Sequence, residues 1–435
     1  MSSAALASTQ ARVRRLFNLE TLVRPHTLLL IGGGISFLAW VIPWGSRIPP
    51  PIRGFSRTEP LTLHGALFLL GWWGFFFLVA VAGFALGRRV GPLRRAESVP
   101  WESYYVFLTI LGVVGIVYSY AYVVVKSPHT LGLALHHQQF NELRRVLPEA
   151  TGVQTLRYAT CIAAAIATFE LARRHFRLLH VFNILLLILA AAFAARTLLI
   201  IALIVGVGLA ARHLQATRVS SRRVTGSALL VAVAVFLALA LLNYSRNADF
   251  YRSHGIRSPA VMNVAEMVRY LGFPFQASAA VSNHLSSFPA VPPTVASGTR
   301  VFVLPTYLSS STPESVSRGE TLYGSVVATP ESYTTPSVLA VSWGVFGVLA
   351  FPVLGFVAFI AAALAGHASR YRSYAFLAGL VLAYCFSEWW RTWVFNTGLT
   401  QFLVLAVAFW ALVGGKADEW TDGRWTRFTR WLLRH

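Results

Sequence analysis

The chain has 435 residues, of which 56% are hydrophobic and only 12% charged, and its mean hydropathy is +0.59. Soluble domains carry about 25% charged residues, so the composition excludes an ordinary soluble globular class. The formal net charge of +21 would suggest nucleic acid on a soluble protein. Here the basic residues sit mostly between long apolar runs, so membrane topology explains them first and no nucleic-acid partner is expected. Cys161 and Cys385 both lie in apolar runs and suggest neither a disulfide framework nor a metal site.

Arg12, Arg14, Arg15 and Arg24 precede an apolar segment too long for a cleaved signal, and form a collar before a first span. Runs of about 18 or more apolar residues predict spans. Seven fall at about 27–46, 61–86, 103–125, 154–172, 178–195, 197–211 and 226–243. A polar stretch follows over 244–334. Three more spans fall at about 337–365, 371–389 and 393–413. The expected class is an all-α polytopic membrane protein of about ten transmembrane helices, with a large extracytoplasmic loop between helices 7 and 8. Its parts are residues 1–243, the loop 244–334, spans over 335–414, and a tail over 415–435.

With both termini inside, the cytoplasmic segments hold about 22 of the 37 basic residues, nearly all beside spans, as the positive-inside rule requires. The expected location is the bacterial inner membrane. The tail mixes Trp420, Trp425, Phe428, Trp431 and Leu432 with Arg424, Arg427, Arg430 and Arg434. That pattern suits a helix on an anionic leaflet, or a docking helix for a cytoplasmic partner. No internal repeat is visible, and seven spans precede the loop against three after it. That asymmetry disfavours a transporter built from inverted repeats.

The 244–334 stretch carries Arg252, Arg257, Arg269, Arg300 and Arg318, with Glu266, Glu320, Glu331, Tyr270, Tyr323 and His254. Arginine forks bind phosphate oxygens in pairs, and tyrosine faces suit sugar rings. An ordinary solvated loop has a similar composition. Met262, Val264, Ala265, Val268 and Leu271 share helical faces, with Glu266 and Arg269 three apart. They predict an amphipathic helix on the membrane's outer edge, ending near Gly272 and Pro274. Arg196 interrupts an apolar run over 183–211, either at a tight outer turn or within the membrane. Glu388 and Arg391 stand three apart among tryptophans, as an interfacial ion pair or as cavity-lining groups. His136 and His137 are adjacent, not four apart, which is poor spacing for a zinc pair on one helix face. No phosphate-binding glycine loop occurs, and the outer segments are poor in acids, so neither a metal nor a cofactor is expected.

Three features resemble the oligosaccharide repeat-unit polymerases of O-antigen and capsule synthesis, the Wzy type. They are the arginine hinge 195-ART-197, the segment 269-RYLGFPFQASAAV-281, and 331-ESYTTPSVLAVSWGVFGVLAFPVLGF-356. The last places Thr334 and Thr335 before Gly344, Gly347 and Gly355. Trp343 departs from the family, which often has an acid at that point. The resemblance covers about the C-terminal half and implies a GT-C-like fold. It implies metal-independent transfer of a glycan from undecaprenyl pyrophosphate to an incoming lipid-linked repeat. Arg196, Arg269, Glu266, Glu320, Glu331 and His254 would then be catalytic candidates. Arg252, Arg257, Arg300, Arg318, Tyr270, Tyr323, Glu388 and Arg391 would bind pyrophosphate and glycan. Membrane lipids, a chain-length regulator and a flippase are the implied partners. An O-antigen ligase shares this pattern. A transporter or flippase for the lipid-linked unit is the rival from another class.

Overall fold

A computed structural model describes residues 19–41, 60–136, 143, 146–147, 152–173, 175–194, 196–217, 250–292, 295–305, 337–421 and 423–434. Every regular element among them is helical. The principal helices are α1 (Pro25–Val41), α2 (Leu63–Gly87), α3 (Trp101–Lys126), α4 (Ala159–Ala172), α5 (Leu178–Ala194) and α6 (Arg196–Thr217). They continue with α7 (Pro259–Asn283), α8 (Val338–Phe346), α9 (Ala350–Ala368), α10 (Leu377–Ser387), α11 (Gly398–Trp420) and α12 (Arg424–Arg434).

Among the described residues, four apolar helical stretches are long enough to cross a bilayer: Leu63–Gly87, Trp101–Lys126, Val338–Ala368 and Gly398–Ala417. Shorter apolar helices run over Pro25–Val41, Leu178–Phe193, Thr197–His213 and Tyr374–Ser387. A helix satisfies its backbone hydrogen bonds internally, which hydrocarbon demands. Leu63, Leu67, Leu70 and Leu78 of α2 point outward and are exposed, as lipid-facing residues are. The chain is an all-helical, multi-spanning membrane protein. The span expected at 226–243 lies outside the described residues.

The most extensive helix pair is α2 with α9. Glycine makes it possible: a Cβ on Gly87 would overlap the Ala363 carbonyl, and one on Gly366 the Phe84 carbonyl. Small residues let membrane helices approach backbone to backbone.

Two expected elements change shape. The span at 337–365 is broken at Gly347, whose φ of 54° lies in the left-handed region. A short 3₁₀ turn, Gly347–Leu349, joins α8 to α9, and the Val348 amide donates to the Ala290 carbonyl at 3.0 Å. The helix expected to end near Gly272 and Pro274 runs unbroken to Asn283. Proline removes one helical donor, so nearby carbonyls need other partners. Ser36 Oγ of α1 donates to the Leu271 carbonyl at 2.7 Å. Trp40 Nε1 donates to Gln276 Oε1 at 2.7 Å, and Asn283 Nδ2 donates to the Pro60 carbonyl at 2.8 Å. The second half of α7 carries Ala277, Ser278, Ala279, Ala280 and Ser282, all buried, and α7 packs on α1 and α2. It is a core helix there rather than an edge helix.

One end of the bundle is tied by polar contacts between loops. The Glu97 carboxylate accepts from the Arg372 and Ser373 amides, and Arg370 Nη1 donates to the Arg88 carbonyl at 2.6 Å. Ser103 Oγ accepts from two indoles, Trp410 Nε1 at 3.0 Å and Trp425 Nε1 at 2.8 Å. Ser103→Ala would strand both donors at a cost of about 1–3 kcal/mol. A lower unfolding midpoint in detergent is expected, with faster proteolysis beyond Thr421. An unchanged midpoint would contradict the tie.

Candidate functional site

Helix α10 leads from the tied end, where Ser373 meets Glu97, to the opposite end of the bundle. There the chain leaves helix at Glu388, which is the C-cap of α10. The Arg391 amide donates back to the Glu388 carbonyl at 2.9 Å, so a tight turn brings the two side chains together. Arg391 donates through Nε to Glu388 Oε2 at 2.9 Å, and its Nη2 forms an ion pair with the same oxygen at 2.8 Å. Tyr270 of α7 donates its hydroxyl to the same oxygen at 3.3 Å. The guanidinium also lies over the Tyr270 ring, 4.1 Å from its centroid. Glu388 is only 3% exposed. Sequence spacing suggested the ion pair; the structure adds Tyr270 from a distant helix.

Aromatic rings wall this cluster. Trp390 packs edge-on against Tyr270, and Trp389 packs with Phe386, Trp393 and Phe395. Trp393 Nε1 donates to the Phe302 carbonyl at 2.8 Å, and Asn396 Nδ2 to the carbonyls of Val301 and Leu304. These bonds fix the short helix Val295–Val303, which carries exposed Arg300, beside the turn.

Low dielectric strengthens such contacts and raises the cost of leaving one unmade. Burial alone would lower the Arg391 pKa; Tyr270 and Glu388 outweigh it, and the net direction is up. Arg391 therefore stays a cation. An arginine carries five N–H donors. Glu388 accepts the Nε hydrogen, and Nη2 stands beside the same carboxylate oxygen.

Glu266 lies one turn before Tyr270 on α7, on the same helical side. It accepts a short hydrogen bond from the buried Tyr251 hydroxyl. Arg269 is half-buried on the same helix. Arg252, His254 and Arg257 are exposed on the turn that leads into α7. His254 Nδ1 lies 2.8 Å from its own turn's Phe250 carbonyl. Arg196 opens α6, so the helix boundary falls where the sequence placed a hinge. Arg318, Glu320, Tyr323 and Glu331 lie outside the described residues, as do Thr334 and Thr335. Among the described residues no three His, Cys, Asp or Glu side chains converge as a metal site.

Sequence reasoning missed several polar groups inside the bundle. Arg157 is buried, donates to Ser119 Oγ at 3.2 Å, and lies over the rings of Tyr158 and Phe193 at 5.1 and 5.3 Å. Phe193 is three residues before Arg196, so a second arginine reaches the segment already singled out. Glu170 is buried and paired with Arg173 at 3.2 Å and His175 at 3.0 Å. Tyr105 bonds to His180 Nδ1 at 2.8 Å and accepts from Asn183 at 3.0 Å. Arg157 and Tyr105 find partners on other helices, where spacing gives no signal, whereas Glu170 pairs with Arg173 and His175 at the end of its own helix. The cue was chemical: an ionisable residue in a span implies a partner.

Glu388→Leu alone would leave the half-buried Arg391 charge without its carboxylate, at a cost of up to about 3–5 kcal/mol. The double variant Glu388→Leu/Arg391→Met would recover most of that loss, because a buried pair exchanges for apolar groups at little net cost. Unfolding midpoints in detergent check this. A double variant as unstable as the single one would contradict the pairing.

Comparison with protein-family models, with curated proteins and with solved structures finds no match to this chain.

Proposed function

We propose that the protein is a membrane glycosyltransferase that polymerises undecaprenyl-pyrophosphate-linked oligosaccharide repeats into surface polysaccharide, O-antigen or capsule. The proposal includes about ten transmembrane helices in a GT-C-like arrangement, in a bacterial inner membrane with both termini cytoplasmic. The observation that carries it is the Arg391–Glu388–Tyr270 cluster. It holds a half-buried, permanently charged guanidinium on an aromatic face, at the end of the bundle away from the basic loops. The arginine hinge at 195-ART-197 and the segment around Tyr270 add the family resemblance.

In this reading the acceptor sugar hydroxyl attacks the anomeric carbon of the donor. A new glycosidic bond forms, the bond to pyrophosphate breaks, and the hydroxyl proton passes to a base. Positioned cations lower the barrier by meeting the charge that develops on the leaving group. Arg391, Arg269, Arg300 and Arg196 take that part. Glu266 takes the base, since Glu388 is held in an ion pair by its arginine. Arg252 and Arg257 face solvent and suit the glycan or the approaching lipid phosphate.

One observation favours the transporter as a second reading. Glu170, His180, Arg157 and Asn183 are all buried within or at the ends of apolar helices. Transport pathways are marked by such groups.

Deleting the gene and comparing the length ladder of the surface polysaccharide separates these. The polymerase reading predicts collapse to a single repeat, restored by the wild-type gene but by neither Arg391→Ala nor Arg196→Ala. Full-length polymer that stays unattached would indicate a ligase. An unchanged ladder, in a host with no second copy, would overturn both and leave the transporter.

A further inference from the structure

Helix α12, with the sequence RWTRFTRWLLR, contains no acid. Trp425, Phe428, Thr429 and Leu432 recur at helical spacing on one side, and Arg427, Arg430 and Arg434 on another. Its inward side is anchored: Thr429 is buried, and Trp425 packs on Trp410 and donates to Ser103. Ser103 sits in the first turn of α3, one of the long spanning helices. The anchor therefore holds α12 at the depth where a span leaves hydrocarbon for headgroups.

Much of the rest of α12 is exposed. Phe428 is 43% exposed and Trp431 57% exposed, and the two rings stack on each other. Arg424, Arg427 and Arg430 are exposed beside them. Arg94, Arg95 and Arg370 are exposed at the same end of the bundle, on loops that pack together through Glu97 and Arg88. Exposed rings next to arginines, at headgroup depth, match an interface where rings enter the acyl boundary and cations meet lipid phosphates.

We propose that α12 is a binding surface for acidic phospholipids. Its arginines hold the headgroup phosphates, and Phe428 and Trp431 insert beside them. The inference is independent of the polymerase reading, because it uses the opposite end of the molecule.

The test uses the full chain purified in detergent and titrated with phosphatidylglycerol or phosphatidylcholine, with bound lipid read by native mass spectrometry. Phosphatidylglycerol should bind at least about tenfold tighter, since each basic residue near an anionic surface adds to the attraction. The triple variant Arg424→Gln/Arg427→Gln/Arg430→Gln should lose that preference, and the triple Arg→Lys variant should keep it. Both leave the Trp425–Ser103 anchor untouched. Salt near 1 M, where the screening length is about 3 Å, should erase the preference in the wild type. Equal binding of the two lipids would overturn the proposal and leave this face to a protein partner. So would a preference that survives in the glutamine variant.

Discussion

Hydrocarbon does not hydrogen-bond, and this one constraint shapes the whole molecule. It forces the backbone into helices and makes a buried polar side chain costly to leave without a partner. The proline in α7 is tolerated where α1 supplies Ser36 and Trp40 to the same stretch of helix. The α2–α9 contact depends on glycines because two backbones must nearly touch. Ser103 serves two indoles, sparing both N–H groups the cost of burial without an acceptor.

The same constraint gives the Arg391 cluster its character. Glu388 and Arg391 are held in one geometry by a tight turn, by Tyr270 from α7, and by a wall of tryptophans. A pair of this kind contributes little net stability over apolar side chains of the same size. In the proposed reading, the charge is held there for its chemistry. A guanidinium fixed on an aromatic face offers donors already pointed, and an anionic leaving group needs donors of that kind.

Much of the architecture was legible because hydropathy is a sum over many residues. The helices Leu63–Gly87 and Trp101–Lys126 fall within a few residues of their expected spans. Local chemistry was harder to read. Gly347 breaks a run whose hydropathy is continuous, because a single backbone angle leaves no trace in a windowed average. The helix α7 was expected on the membrane's outer edge, ending near Gly272 and Pro274, yet its buried serines and alanines are what allow close packing. At the site, the three-residue spacing of Glu388 and Arg391 was visible. Tyr270 is 118 residues away from Glu388, and no local pattern could have joined them. Arg157 and Glu170 were passed over because their partners come from tertiary contact or from a helix end.

The most direct measurement returns to Glu388→Leu/Arg391→Met in the gene-deleted host. This variant keeps the packing and removes the charges, so stability and chemistry are read apart. The account predicts a protein inserted at wild-type levels that leaves the surface polysaccharide at a single repeat. A full-length ladder from that variant would contradict it, and would make the cluster a strut between α7 and α10.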